Sequence, residues 1–574
     1  NAYVNYTKTF AKKHNLNVMA GVNAEEEEYK YLYGTRNVMY DQEGYPELNM
    51  AGKDGQDLSW NHTSRASAGY FGRINYDYKG IYLLELNGRY DGSSRFPHTD
   101  QWAFFPSASI GYRFSEEAYF APLKHIVSNG KLRASFGEIG NEAVGDYMFE
   151  QLISQRLNNK STGYIYWIEN NNANANLLTM YNMPDLVSST LTWERIRTLN
   201  IGLDLGLLND ELTIGFDWFQ RENRDMLAPA QVLPNTLGAS APYENAGTLR
   251  TRGWELNLNW RHTFGDFDVY ANFNIGDSKT KVTKWDNDSK LLSTYYTGKT
   301  YGDIFGFETD RYFEEKDFTS QNADGSWNYA NGIASQAGLE SGNFHYGPGD
   351  VKFKDLDGNG KIDGGKGTAD DHGDLKVIGN SMPRYEYSFH LGGAWKGIDL
   401  DLYFQGVGKR EDWTTSSLNL PAMVHADVAI YSHQTSYNKV LWNSDYTAIT
   451  GYEVNQGNRY PRLYRGTNNS GGTVSGIANG CNNYYPQSRY LTDMSYLRLK
   501  NVTVGYTLPK EWTRKAYIEK ARIYFSGSNL FLLHKGNDLP VDPEISTGNG
   551  LTAGGWGRIA PITRTFSFGV QVTL

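Results

Sequence analysis

The sequence predicts an all-β protein: a transmembrane antiparallel β-barrel of which this chain supplies about fifteen strands. Three observations predict it. Apolar and polar residues alternate with period two over segments of about ten residues, repeatedly along the chain. Aromatic residues recur at the ends of these segments, where a barrel places its interfacial girdles. Connections alternate between short and long, as when tight turns lie on one side of a membrane and large loops on the other.

The expected strands are 2–11, 16–24, 66–78, 81–90, 103–114, 131–139, 193–205, 212–221, 251–262, 267–279, 384–395, 398–407, 494–506, 521–529 and 563–574. The first residues already alternate, with Ala2, Val4 and Tyr6 on one side and Tyr3, Asn5 and Thr7 on the other. In 81–90, Tyr82, Leu84, Leu86, Gly88 and Tyr90 oppose Glu85, Asn87 and Arg89. In 212–221, Leu212, Ile214, Phe216 and Trp218 oppose Thr213, Asp217 and Arg221. Trp254, Leu256, Leu258 and Trp260 oppose Glu255, Asn257, Asn259 and Arg261, and Ile398, Leu400, Leu402 and Phe404 oppose Asp399, Asp401 and Gln405. The last strand sets Phe566, Phe568, Val570, Val572 and Leu574 against Thr565, Ser567, Gln571 and Thr573. A half-buried soluble sheet gives the same alternation, but a dry core does not tolerate charge in mid-strand without partners. A water-filled or plugged lumen does. Arg73, Asp77, Glu85, Arg89, Arg221, Glu255 and Arg261 are expected to face it, hydrating it or pairing with a plug.

Lys79-Gly80, Gly265-Asp266 and Lys396-Gly397 mark tight turns on one side. The other side carries 25–65, 140–192, 222–250, 280–383, 408–493 and 530–562. This divides the chain into barrel strands with outer loops (1–279), a long extracellular loop (280–383), a barrel hairpin (384–407), a second long loop (408–493) and C-terminal barrel strands (494–574). Helix is scarce, with 116–127 the best short candidate. Fifteen alternating strands begin and end in the same direction, so closing an antiparallel barrel needs an odd number of further strands. They are expected N-terminal to residue 1: Asn1 is not a start methionine, and 2–10 holds neither a signal core nor a cleavage site.

Composition agrees. The 574 residues include 14 Trp, 42 Tyr, 26 Phe and 61 Gly, yet only 39% are hydrophobic, and no apolar run is long enough for a membrane helix. A net charge of −9 argues against a nucleic-acid partner. The single Cys481 excludes an internal disulfide framework.

Several segments resemble one family. They include Arg89-Tyr90-Asp91-Gly92-Ser93-Ser94-Arg95-Phe96, Leu132-Arg133-Ala134-Ser135-Phe136-Gly137 followed by Gly140-Asn141 and Tyr147, and Leu191-Thr192-Trp193-Glu194. Further ones are Asn200-Ile201-Gly202-Leu203-Asp204, Asn245-Ala246-Gly247 with Gly253-Trp254-Glu255-Leu256, and Gly349-Asp350-Val351-Lys352-Phe353. Ile378-Gly379-Asn380 with Pro383, Tyr460-Pro461-Arg462-Leu463, Tyr496-Leu497-Arg498-Leu499-Lys500-Asn501-Val502 and the closing strand complete the set. In this order they resemble the C-terminal part of SusC/RagA-type TonB-dependent transporters of the Bacteroidetes outer membrane. The resemblance implies a 22-stranded barrel in the Gram-negative outer membrane, importing oligosaccharides or, in some members, peptides. It also implies a SusD-like surface lipoprotein as lid, the TonB complex as energy source, and an N-terminal plug that nothing here matches. The chain ends in Leu574, where the family usually ends in Phe.

The acidic stretch 355–363 has the oxygen-ligand spacing of a calcium loop. Asp355, Asp357 and Asn359 stand at positions 1, 3 and 5, Gly360 makes the sharp turn, Lys361 offers its carbonyl and Asp363 follows. Position 12 is Lys366 rather than Glu, so Asp374 is the expected closing ligand, with Asp370 and Asp371 as rivals. A structural Ca²⁺ or Mg²⁺ is expected, against the alternative of a merely solvated turn. No His-Glu-x-x-His, Gly-x-Ser-x-Gly or phosphate loop occurs, so no enzyme is expected. Sugar-stacking contacts are expected from Trp285, Tyr295, Tyr296, Trp413, Tyr437, Trp442, Tyr484 and Tyr485 in the longest loops, unless these rings pack the loops together. A plug-less pore or a surface scaffold displaying large loops is the alternative to an importer.

Overall fold

Two-residue turns set the sheet. Lys79 and Gly80 both have positive φ (55° and 67°), as do Lys396 and Gly397 (47° and 90°). That is the type I′ geometry whose twist matches antiparallel strands. The computed structural model describes residues 1–36, 47, 48, 51, 52, 57–153, 155–157, 179–181, 184, 186–188, 191–229, 241–341, 344–414, 418–420, 430–463, 482–544 and 561–574. The strands are β1 (Ala2–Phe10), β2 (His14–Thr35), β3 (Asp57–Tyr78), β4 (Tyr82–Ser93), β5 (Trp102–Tyr112) and β6 (Val127–Asn141). They continue as β7 (Glu194–Leu207), β8 (Leu212–Pro229), β9 (Tyr243–Phe264), β10 (Phe267–Lys284) and β11 (Arg384–Trp395). The last are β12 (Ile398–Lys409), β13 (Tyr496–Thr507), β14 (Lys520–Lys535) and β15 (Thr565–Thr573). All fifteen form one sheet in chain order, each antiparallel to its predecessor. Among the described residues, β1 and β15 each have one sheet neighbour.

One face of this sheet is apolar and uncovered. On β15 Phe566, Phe568, Val570 and Val572 are exposed, Phe568 by 72%. On β4 Tyr82, Leu86 and Tyr90 are exposed too. Water penalises such a surface; lipid does not. Aromatic girdles bound it: Tyr78, Tyr82 and Tyr112 stack at the short-turn end, with centroids 6.4 and 5.3 Å apart. Trp102 stacks with Tyr70 and Tyr90 at the other end, at 6.1 and 5.1 Å. Tyr82 and Tyr90 stand roughly 26 Å apart along β4 at ~3.3 Å per residue, close to the ~25 Å apolar band of outer-membrane barrels.

The opposite face is polar, and its charges pair across strands. Arg133 on β6 binds Asp204 on β7 at 3.0 Å and Asp217 on β8 at 2.6 Å. Gly202 lies between Arg133 and Asp217 in the register, and a Cβ there would stand 2.5 Å from the guanidinium carbon. The glycine gap therefore lets one arginine span three strands. Arg522 on β14 reaches Asp399 on β12 at 3.0 Å in the same way, past Gly505 on β13. Arg73 donates to Asn87 at 2.7 Å, Asp77 accepts from Asn15 at 3.0 Å, and Arg89 pairs with Asp91 at 2.8 Å.

Three features differ from the sequence reading. Strands run beyond their expected ends: β2 and β3 pair in one unbroken register from His14↔Tyr78 to Thr35↔Asp57. Residues 25–35, 57–65, 222–229 and 243–250, expected in loops, are therefore ladder. Above the membrane the outer face need not be apolar, so alternation fades while backbone pairing continues. The region of 116–127 forms 3₁₀ turns, Phe114–Glu116 and Ala118–Leu123, with Pro122 inside the second and β6 starting at Val127. A single α-helical turn, Lys510–Thr513, lies in a connection the sequence left unassigned.

Leu86→Arg, in the middle of the lipid-facing row, is expected to destabilise the intact barrel by about 2–4 kcal/mol. Ser109→Arg, on the neighbouring strand and facing the lumen opposite Glu85, is expected to change it by less than about 0.5 kcal/mol. Urea titration of the barrel in lipid vesicles measures both.

Candidate functional site

The loops 280–383 and 408–493 fold into one unit. Phe307, Tyr312, Val351, Phe353 and Ile362 from the first share a core with Leu420, Tyr460, Tyr484 and Tyr490 from the second. Between them lies a buried ion pair. The Arg462 guanidinium donates to both oxygens of Asp350, Nε to Oδ1 at 2.9 Å and Nη2 to Oδ2 at 2.7 Å, and Asp350 is fully buried. Asn483 adds a second clasp: its Nδ2 donates to Asp350 at 2.8 Å and its Oδ1 accepts the Val351 N–H at 2.8 Å. Buried Gln336 imitates a strand, accepting from Phe353 N–H at 2.6 Å and donating to the Val351 carbonyl at 3.1 Å. Amide side chains thus satisfy main-chain groups that an irregular loop leaves without ladder partners.

The expected sugar-stacking residues fall into three groups. Tyr484 is buried in this core, so its ring is closed to a ligand; Trp413, Tyr437 and Tyr485 pack half-buried against it. Tyr484 thus packs the loops together and the other three add to that packing, since a tyrosine-rich loop buries the same residue type that a sugar site displays. Trp285, Tyr295 and Tyr296 form a second group. Trp285 meets Tyr295 edge-on at 4.9 Å, and Lys299 lies over Tyr295, Tyr296 and Phe305 while donating to the Leu292 and Thr294 carbonyls at 2.6 and 3.0 Å. Burial pushes the Lys299 ammonium down and the Tyr295 phenol up to about 12. Trp442 alone stays well exposed, on the small hairpin of Lys439–Trp442 and Ile449–Glu453.

The acidic loop draws three carboxylates together. Ligand oxygens of Asp355, Asp357 and Asp374 lie within 4.8 Å of one another. Asp355 accepts the Gly358 and Gly360 N–H groups at 2.7 and 2.9 Å, and these glycines have φ of 75° and 78°, which a side chain would strain. Fully buried Asp374 closes the loop, accepting from Leu356 N–H at 2.6 Å and Asp363 N–H at 3.0 Å. Asn359 donates to Asp357 at 2.9 Å and accepts the Lys361 N–H at 2.8 Å. Asp363 stands outside the triad, accepting from Gly365 N–H at 2.8 Å. The rivals point elsewhere: Asp370 pairs with Lys290 at 2.9 Å and Asp371 lies 3.6 Å from Lys366. Among the described residues no Lys or Arg pairs with the triad. Three clustered carboxylates without a countercharge, and only oxygen donors, suit a hard divalent cation.

The sequence reading missed a further group. Tyr29, Tyr31 and Tyr33 rise along β2 above the membrane with parallel, exposed rings. The i, i+2 spacing was visible, but the Glu25–Glu28 run beside it reads as loop.

A sequential antiparallel sheet, apolar towards lipid and polar within, with folded loops on one side, is the wall of an outer-membrane β-barrel. The chain belongs to the TonB dependent receptor-like β-barrel family, whose profile matches residues 1–370. It is 27% identical over 597 residues to "TonB-dependent receptor P3" of Formosa agariphila, covering 99% of this chain and 51% of that protein. To "TonB-dependent receptor SusC" of Bacteroides thetaiotaomicron it is 25% identical over 562 residues, covering 96% of this chain and 48% of that one. Among solved structures, the RagAB peptide transporter matches in fold with a TM-score of 0.69 at 18% identity, over 99% of this chain and 54% of that chain. The chain thus spans about half the length of the curated relatives it matches.

Two outcomes follow from the loop unit. Arg462→Ala leaves Asp350 buried without its partner and is expected to destabilise the unit by about 3–5 kcal/mol, read as lost hydrogen-exchange protection across 305–313 and 350–353. Asp412, at its base, is buried, with Oδ2 lacking a hydrogen bond and Arg410 at 3.9 Å. Burial pushes its carboxyl up to about 7, against ~3.9 unfolded. The folded state therefore holds a proton that the unfolded state releases, and this stabilisation disappears as pH rises through about 7. Protection of 408–414 and 490–494 is expected to fall from about pH 4 to about pH 7 and to level off above that, and Asp412→Asn to flatten that dependence.

Proposed function

We propose that this chain is the distal wall and loop unit of an energised importer that carries an oligosaccharide across the outer membrane. The observation that carries the cargo class is the lumen face, where neutral hydrogen-bonding groups line up across strands. Asn257 on β9 pairs in register with Asn274 on β10, and Asn274 with Ser388 on β11; Asn259 and Asn272 form the next row. Such rows offer donors and acceptors to a hydroxyl-rich solute without fixing a charged one. The relative named "TonB-dependent receptor SusC" supports the energised, TonB-dependent part of this reading. In the proposed importer, seven further strands close the barrel around an N-terminal plug, a SusD-like surface lipoprotein covers the mouth, and the TonB complex pulls the plug aside. Cargo is captured beneath the lid and released through the lumen to the periplasm. A peptide cargo is the second reading, favoured by the fold match to the RagAB peptide transporter.

The acidic loop holds a structural Ca²⁺ or Mg²⁺ in this proposal. Asp355, Asp357 and Asp374 supply its carboxylates and Asn359 its side-chain oxygen, with the Lys361 carbonyl and Asp363 adjoining. A bound divalent ion there neutralises the triad and pins the loop between 353 and 375. With calcium at about 100 times its Kd, the loop unit is expected to gain about 2.7 kcal/mol. Chelation is expected to lower its protection from exchange, and Asp374→Asn to abolish the calcium response.

Native outer-membrane complexes, purified in mild detergent and analysed by peptide mass, test the whole reading. Co-purification of plug-bearing N-terminal peptides with a surface lipoprotein, and oligosaccharide uptake that stops when the proton-motive force is collapsed, are expected. A chain recovered alone that conducts passively in planar bilayers overturns the importer and leaves a pore.

A further inference from the structure

The β2–β3 hairpin continues past the membrane in a single register, so its side-chain parity is unbroken. Odd-numbered β2 residues that face the lumen lower down (Asn17, Gly21 and Asn23) therefore share a face with Tyr29, Tyr31 and Tyr33. The three rings are parallel to within 6° and 14°, with centroids 6.5 and 6.3 Å apart. They are 52%, 45% and 47% exposed. Directly opposite on β3 stand Thr63, Asn61 and Ser59. Among the described residues no hydrogen bond or ion pair engages any of these six side chains. A soluble hairpin has no reason to hold three large rings on one face in water.

We propose that Tyr29, Tyr31 and Tyr33, with Ser59, Asn61 and Thr63, form an outer subsite that binds a neutral oligosaccharide laid along the strand. This rests on the import reading above and adds to it a place of first contact and a charge preference. The chemistry matches a sugar chain on both of its sides. The C–H face of a pyranose packs on the negative face of an aromatic ring, and the platform repeats at each second residue, so successive sugars meet successive tyrosines. Hydroxyl groups at the sugar edge meet the amide of Asn61 and the hydroxyls of Ser59 and Thr63.

Charge and backbone geometry narrow the occupant. On the membrane side the same face carries Glu25 and Glu27, the latter ion-paired with Arg65. Two acids against one base, on a chain of net charge −9, repel a polyanion such as a nucleic acid or a uronate glycan. A peptide gains most from main-chain hydrogen bonds at an open strand edge. The face of a two-stranded ribbon offers none, since its backbone groups lie in the plane of the sheet.

Isothermal titration of the intact transporter, with and without its surface lipoprotein, tests this. The neutral probes are maltoheptaose, cellohexaose, mannohexaose and xylohexaose, and the anionic control is an oligogalacturonate. At least one neutral probe is expected to bind wild type more tightly than oligogalacturonate does. The triple variant Y29A/Y31A/Y33A is expected to weaken that binding about 10- to 100-fold. The triple Tyr→Phe variant, which keeps the ring faces, is expected to stay within about threefold. Heat-modifiable migration and unchanged exchange protection of 305–313 confirm that each variant is folded. If the alanine variant binds the neutral probe as wild type does, or oligogalacturonate binds equally well, the subsite is refuted while import stands. If the alanine variant loses only lipoprotein co-purification and keeps sugar affinity without the lid, the ladder is a lid contact and the subsite fails. If wild type binds no neutral probe yet imports peptides in a proton-motive-force-dependent way, the subsite and the oligosaccharide cargo fall together and energised import survives.

Discussion

Every backbone N–H and C=O inside the hydrocarbon must be paired within the protein, because lipid offers no partner. That constraint fixes nearly everything else about this chain. It forces a continuous antiparallel ladder from β1 to β15, and the ladder forces side chains to alternate between lipid and lumen. The apolar row then belongs outside, and charge can be kept only on the inner face. There it is held by cross-strand pairs such as Arg133 with Asp204 and Asp217. Glycine enters as a consequence of the same geometry. An arginine reaches across a neighbouring strand only where that strand lacks a Cβ, as at Gly202 and Gly505. The abundance of both glycine and tyrosine has a further structural expression: the Tyr270, Tyr387 and Tyr524 rings lie where a Cβ on Gly392, Gly406 and Gly569 would stand.

What was legible in the sequence follows from how strongly lipid enforces the pattern. Within the membrane all fifteen strands, the three tight turns and the sorting of loops could be read, since one misplaced charge on the outer face costs about 2–4 kcal/mol. Outside the membrane the enforcement stops. Glu25–Glu28 has no apolar alternation, yet it pairs residue for residue with 64–67, because a ladder asks only for backbone groups. Likewise Pro122 turns an apolar stretch that resembled a short helix into 3₁₀ turns.

The loop unit obeys another logic, and there sequence reasoning was partly blind. A tyrosine in a long loop carries no mark that tells packing from display. Tyr484 packs in the core beside the Asp350–Arg462 clasp, while Tyr29 stands half in water. The acidic loop was more readable, because oxygen ligands at alternate positions with glycine between them impose a recognisable spacing. Spacing reached as far as Asp355 and Asp357. The closing residue Asp374 was separable from Asp370 and Asp371 only by position in the loop, and burial, which sequence does not print, singles it out.

These two regimes divide the labour of the molecule. The inner wall combines short polar side chains with charges held across strands, as Arg133 is by Asp204 and Asp217. In the proposed importer, selection by charge and shape falls to the mouth, where strand extensions and folded loops are free of the lipid constraint. The position of the β2–β3 ribbon is suited to that task. Its inner face continues the lumen face without a break in register, so a chain held on the tyrosines already lies along the direction of the wall below it. A platform on the outer, even-numbered face would hold the same chain against the membrane and lead nowhere. Register alone, carried over twenty-two paired residues of β2, thus decides whether an exposed aromatic ladder faces the passage or the lipid surface.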